Sequence, residues 1–159
     1  MATAYYFLSD YDLNAVPDAS GMRLALIVSE WNRQITSQLE EGAFHTLLRF
    51  GVKEEDITRV YVPGSFELIY AAKRVAESIR PDAVIGLGCV IKGETPHFEY
   101  VCSGVTQGFA KLNTKGDIPY IFGLLTTHTL QQAMERAGGK LGNKGDEAAI
   151  TAIKMAKIA

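Results

Sequence analysis

The sequence predicts a three-layer α/β/α sandwich on a four-stranded parallel sheet, and three observations carry that prediction. Apolar, β-branched runs recur four times, at 23–29, Ile57–Val62, Ala83–Ile91 and 118–125. Each is followed by a stretch whose apolar residues return at helical spacing, so strands and helices alternate. The third run, Ala83–Ile91, is apolar throughout, as in a strand covered on both faces by right-handed crossover helices.

The chain divides into an N-terminal arm, 1–21, and a single domain, 22–159. Tyr5-Tyr6-Phe7-Leu8 has strand propensity, and the stretch from Asp10 to Gly21 is rich in Asp, Asn, Pro, Ser and Gly. An apolar strand cut off by such a linker needs a sheet edge to pair with, in its own subunit or a neighbour. The first core strand, 23–29, ends in Glu30-Trp31-Asn32. A helix over 35–50 follows, with Leu39, Ala43, Leu47 and Phe50 inward and Gly51 closing it. The second strand stops at Pro63-Gly64. Ser65-Phe66-Glu67 then open a helix with Leu68, Ala71, Ala72 and Val75 inward, which Pro81 forbids from continuing.

The third strand runs into Lys92-Gly93-Glu94-Thr95-Pro96. There Gly93 permits a sharp turn, Thr95 can cap a helix and Pro96 suits a first helical position. The helix opening at His97 carries Phe98, Val101, Cys102, Val105, Phe109 and Leu112 on one face. The fourth strand, 118–125, leads to a short helix over 130–137, ended by Gly138-Gly139, and a last helix covers 146–158.

Composition narrows the function classes. A formal net charge of −2 gives no broad basic footprint for nucleic acid. Two cysteines, Cys89 and Cys102, are too few for a disulfide framework and wrongly spaced for zinc, so both read as packed thiols. No basic residue precedes Arg23 and no apolar run is long enough to span a bilayer, so a cytoplasmic protein without a membrane segment is expected.

The strand ends gather the chemistry. In a parallel sheet all four lie on one edge, where ligands bind. They bring Trp31-Asn32, then Gly64-Ser65-Phe66-Glu67, then Cys89-Val90-Ile91 with the turn to His97, then Thr126-Thr127-His128. An aromatic plane, a carboxylate, a helix N-terminus suited to an anion and a proton-carrying imidazole therefore converge. Taken singly each has a plain explanation: Trp31 as packing, Glu67 as a helix-dipole partner, His97 as a cap, Arg136 as a solvated charge and Phe122 as core. Several other sites are excluded. Gly86-Leu87-Gly88 lacks the third glycine of a dinucleotide fingerprint, and neither a phosphate-binding GxxxxGK[ST] loop nor a GxSxG elbow occurs. His45, His97 and His128 lack metal-ligand spacing, so no metal is expected. Cys89, a strand thiol with no base beside it, reads as inert.

VPGSFEL (62–68), LGCVIKGETPHFEYV (87–101), IFGLLTT (121–127), ERAG (135–138) and GNKG (142–145), in this order, resemble the 6,7-dimethyl-8-ribityllumazine synthase family. The resemblance covers the chain from Arg23 onward and implies a flavodoxin-like sheet. It also implies condensation of 5-amino-6-(D-ribitylamino)uracil with 3,4-dihydroxy-2-butanone 4-phosphate, releasing phosphate and water, without metal or organic cofactor. On the matching positions His97 is the catalytic histidine. Trp31 stacks on the pyrimidine, Ser65, Phe66 and Glu67 hold the pyrimidine and ribityl chain, and Cys89, Val90 and Ile91 meet the ring edge through their backbone. Glu94 and Thr95 present backbone N–H groups to the phosphate, Arg136 binds it, Lys144 lies near the pyrimidine, and Phe122 comes from a neighbouring subunit. Glu94 and Pro96 depart from the residues common in the family at their positions. The family also implies a homo-oligomer, a pentamer and a closed icosahedral 60-mer shell, with riboflavin synthase as a heterologous partner. The rival readings are a flavodoxin-like flavin or nucleotide binder and a shell protein without turnover.

Overall fold

The computed structural model describes residues 7–158. β1 (Leu24–Ser29), β2 (Ile57–Val62), β3 (Ala83–Ile91) and β4 (Tyr120–Thr127) form one parallel sheet in the order β2-β1-β3-β4. Ile27 of β1 sits between Val60 of β2 and Gly86 of β3, which fixes the central register. The connections are α1 (Arg33–Arg49), α2 (Leu68–Ile79) and α3 (His97–Lys115), and α4 (Leu130–Glu135) and α5 (Lys144–Ala156) follow β4. This is the flavodoxin-like α/β/α sandwich expected from the sequence.

Each face of the sheet carries its own core. Leu24, Leu26 and Val28 pack with Leu39 and Leu47 of α1 and Ala149 and Ile153 of α5. Ala25 and Ile27 on the opposite face pack with Leu68 and Ala72 of α2 and Val105 and Phe109 of α3. The alternation follows from the two-residue period of a strand covered on both sides. Gly86 and Gly88 are close-approach positions on the second face. A Cβ at Gly86 would meet the Phe109 ring, and one at Gly88 would lie 2.8 Å from Ser65 Oγ. The paired glycines thus seat a helix and the turn of 64–67 against β3, which is why they do not form a nucleotide loop.

α1 ends as its sequence directs. Gly51 has φ +97°, and the N–H groups of Gly51 and Val52 donate to the carbonyls of Leu48 and Leu47 at 3.1 Å each, a Schellman closure. The start of α3 differs from expectation. Thr95 makes no capping bond, and Pro96, with φ −62°, precedes the helix instead of occupying its first position. Pro96 caps through its own carbonyl, which accepts from Glu99 N at 2.9 Å. The short helix also stops earlier than expected. Ala137 is not helical but begins β5 (Ala137–Gly139), paired antiparallel with β6 (Gly142–Asn143). Gly138 and Gly142 have φ of +102° and +83°, a backbone that ends a helix and turns a tight hairpin.

The expected strand at 5–8 lies outside the described residues in its first half, and Phe7-Leu8 are irregular. Leu8 N donates to Leu141 O at 2.7 Å, and Val16 and Ala19 are buried in the first core. α3 shows the largest difference between expectation and structure. Of its predicted apolar stripe only Val105 and Phe109 are buried, while Phe98, Val101, Cys102 and Leu112 are not fully covered.

Candidate active site

A cleft of about 680 Å³ opens at the carboxyl ends of β1, β2 and β3. The chain winds from β1 out to β2 and then back across to β3, so the crevice lies where the winding reverses, as expected for ligand sites of open α/β sheets. Its floor is Cys89, Val90 and Ile91. One wall is Trp31 and Asn32, a second is the turn Gly64-Ser65-Phe66-Glu67, and a third runs through Gly93, Thr95, His97, Phe98, Tyr100 and Val101.

The walls are tied to one another. Glu30 N donates to Val62 O at 2.8 Å and Trp31 N to Pro63 O at 3.2 Å, fixing the loop after β1 to the end of β2. Asn32 Nδ2 donates to the Cys89 carbonyl at 3.0 Å, fixing the same loop to β3. Asn32 adopts the left-handed conformation, φ 59° and ψ 44°, which Asn tolerates better than most residues. Lys92 N donates to Thr127 O at 2.8 Å and binds the end of β3 to β4. On this frame Trp31 stands 70% exposed and Phe66 54% exposed, free aromatic faces on an otherwise packed edge.

The polar groups are of two kinds. Ser65 is buried beneath its turn, against Gly88, whereas His97 is exposed at the first position of α3, whose opening N–H groups suit an anion. Cys89 is 1% exposed, and burial pushes its thiol up to about 12, so at neutral pH it carries no nucleophilic thiolate. That agrees with its reading as an inert strand thiol. The Phe98 ring packs edge-on against His128, centroids 6.3 Å apart, linking the third wall to the end of β4. Among the described residues no three His, Cys, Asp or Glu side chains gather into a metal-binding group.

Nine of the sequence-derived site residues meet in the cleft: Trp31, Ser65, Phe66, Glu67, Cys89, Val90, Ile91, Thr95 and His97. Four do not line it. Glu94 is exposed on the neighbouring turn. Phe122 lies half-buried on β4, its ring edge-on to Phe109 at 6.0 Å. Arg136 closes α4, one guanidinium nitrogen donating to Gln132 O at 3.0 Å. Lys144 opens α5 with its ammonium 2.9 Å from a Glu147 carboxylate oxygen. The sequence reading gave no role to the tether made by Asn32 or to the wall made by Tyr100 and Val101. An Asn at a strand–helix junction was the available signal, but its bond partner lies 57 residues away in sequence.

Fold and site together define a flavodoxin-like α/β protein with a cleft at its topological switch point, lined by exposed aromatic faces, a helix N-terminus and an imidazole. The family profile of 6,7-dimethyl-8-ribityllumazine synthase matches residues 21–159. Three curated relatives carry that same name. The one from Parabacteroides distasonis is 64% identical, with 98% of this chain and 97% of the relative covered. The relative from Phocaeicola vulgatus is 60% identical over 98% of this chain and 92% of its own length. The one from Porphyromonas gingivalis is 56% identical over 99% and 98%. The chain belongs to the 6,7-dimethyl-8-ribityllumazine synthase family.

Proposed function

We propose that this cleft is where the chain, as a lumazine synthase of riboflavin biosynthesis, condenses 5-amino-6-(D-ribitylamino)uracil with 3,4-dihydroxy-2-butanone 4-phosphate. The observation that carries the assignment is the position of His97. The first turn of α3 puts an imidazole and a helix N-terminus in the same cleft as the Trp31 plane and the Glu67 carboxylate.

The chemistry needs these parts. The arylamine nitrogen attacks the ketone carbon, and the carbinolamine loses water to give an imine. Elimination then expels phosphate, and after tautomerisation the ribitylamino nitrogen adds to the remaining carbonyl carbon and a second water leaves as the ring closes. Every step moves a proton and none is redox. His97 relays those protons, a contribution of about 10²–10⁴-fold. Trp31 stacks on the pyrimidine, Ser65, Phe66 and Glu67 hold it and the ribityl chain, and the backbone at Val90 and Ile91 meets the ring edge. The N–H groups around Glu94 and Thr95 receive the phosphate. Much of the acceleration comes from holding two substrates together.

Phe122, Arg136 and Lys144 enter from a neighbouring subunit. Their absence from the cleft of their own chain supports this, as does the uncovered stripe of α3. A heterologous contact of this kind repeats head to tail and closes into a ring, here a pentamer, with the icosahedral shell as the further assembly. Within it the start of the arm reaches a neighbour's sheet edge, while Val16 and Ala19 hold its remainder in this chain's own core, and 22–159 form the domain. Riboflavin synthase, the next enzyme to use the lumazine product, is the heterologous partner. Free thiols at Cys89 and Cys102 suit a reducing cytoplasm.

The test is turnover of the two substrates followed by lumazine absorbance. Product formation dependent on both substrates is expected. Tight binding of flavin with no product would establish the binding-module reading instead.

A further inference from the structure

Gly104 and Gly108 lie one turn apart on the face of α3 that meets α2. A Cβ at Gly104 would stand 2.7 Å from Phe66 Cε2 and 3.3 Å from Cδ2, and one at Gly108 would stand 2.5 Å from Ile69 Cδ1. Carbon atoms in contact rest about 3.5–4.0 Å apart, so neither notch admits a methyl group beside its present occupant. The occupants differ in consequence. Phe66 lines the active cleft. Ile69 lines a separate groove between α2 and α3 that shares no residue with it.

We propose that Gly104 is a positioning residue for the reaction, setting the width of the pyrimidine side of the cleft through the Phe66 ring. The inference rests on the reading of that cleft given above. Phe66 yields to a side chain at 104 by turning its ring away from α3. Its turn is anchored by buried Ser65, whose carbonyl accepts from Leu68 N at 3.3 Å, and α3 blocks the side the ring now occupies. The half-exposed side facing the cleft is the open direction. A methyl group at 104 therefore moves the ring about 1 Å into the space of the stacked pyrimidine. Gly108 is the internal control, a neighbouring notch on α3 that is filled by Ile69 of α2 and does not touch the cleft.

The test is steady-state kinetics on the intact assembly for Gly104→Ala, Gly108→Ala, Phe66→Ala and the double variant Phe66→Ala/Gly104→Ala. Because the displaced ring weakens a binding contact made alike in the ground and transition states, Gly104→Ala is expected to raise KM for the ribitylaminouracil roughly three- to thirtyfold. KM for the butanone phosphate and kcat stay near wild type, and Gly108→Ala leaves all three near wild type. The double variant, in which the clash is relieved, is expected to match Phe66→Ala. The proposal is overturned if Gly104→Ala leaves the pyrimidine KM unchanged while Phe66→Ala raises it. It is also overturned if Gly108→Ala raises that KM equally, or if Gly104→Ala adds a further rise on Phe66→Ala. An unchanged pyrimidine KM in Phe66→Ala itself would instead remove Phe66 from the pyrimidine site and with it the underlying reading.

Discussion

The Asn32 side-chain amide donates to the Cys89 carbonyl at 3.0 Å, and this one bond joins the ends of β1 and β3 on either side of the switch point. It fixes the backbone next to Trp31, which forms one wall of the cleft. Asn32→Ala leaves the Cys89 carbonyl unpaired and puts a less tolerant residue at φ 59°. A loss of about 1–3 kcal/mol is expected from urea unfolding, with reduced affinity for the pyrimidine. Asn32→Gly relieves the backbone part alone and should recover part of the stability but not the affinity. Equal stability of all three chains would show that the tether contributes nothing.

His97 is expected to relay protons. His97→Ala should lower kcat by roughly one to two decades, within or below the usual range of general acid–base catalysis, and leave substrate KM values near wild type. Unchanged kcat in His97→Ala would remove the assignment.

Arg136 is expected to bind the phosphate of the four-carbon substrate. Arg136→Ala should raise KM for the butanone phosphate by about tenfold or more, the scale of losing a charge-assisted hydrogen bond, while the pyrimidine KM changes little. Arg136→Lys should restore only part, because the planar fork is lost. A rise confined to the pyrimidine KM would place Arg136 elsewhere.

The buried thiol of Cys89 gives the fold an alkaline weakness. Burial raises its value from 9.0 to about 12. The unfolded chain therefore releases this proton first, so its contribution is whole below 9.0 and is lost as pH rises toward about 12. The limiting slope is about 1.4 kcal/mol per pH unit for one proton. Cys89→Ala should show a smaller loss of stability than wild type between about pH 8 and pH 10.5, with turnover retained because the thiol is not a nucleophile. Identical alkaline losses in the two chains would contradict the burial argument.

The sequence was most informative where local chemistry decides the structure. β2 and β3 have the expected limits because Pro63-Gly64 and the Lys92-Gly93 turn interrupt continuous apolar runs. Nine residues that line the cleft were legible because parallel strands must bring their carboxyl ends together. Misreadings arose where distant contacts decide. Ala137 has high helix propensity, but pairing with β6 draws it into a hairpin. Thr95 has the composition of a cap, yet the Pro96 carbonyl does that work. The α3 stripe was visible as helical periodicity, but periodicity does not say whether the covering partner is the same chain. Arg136 and Lys144 illustrate the same limit, since they match family motifs in sequence yet do not line the cleft of their own chain.

The most direct test is complementation between two damaged chains. If the site is built from His97 of one subunit and Arg136 of the next, as proposed, His97→Ala and Arg136→Ala damage opposite contributions to each cleft. Co-expressed in equal amounts, the two chains assemble at random. About a quarter of the interfaces then pair an intact His97 with an intact Arg136, as a heterologous contact requires. With the butanone phosphate held well below the wild-type KM, lumazine formation by the mixed assembly should reach about a quarter of wild type, above either variant alone. Activity no higher than the mean of the two parent variants would contradict a site shared between subunits.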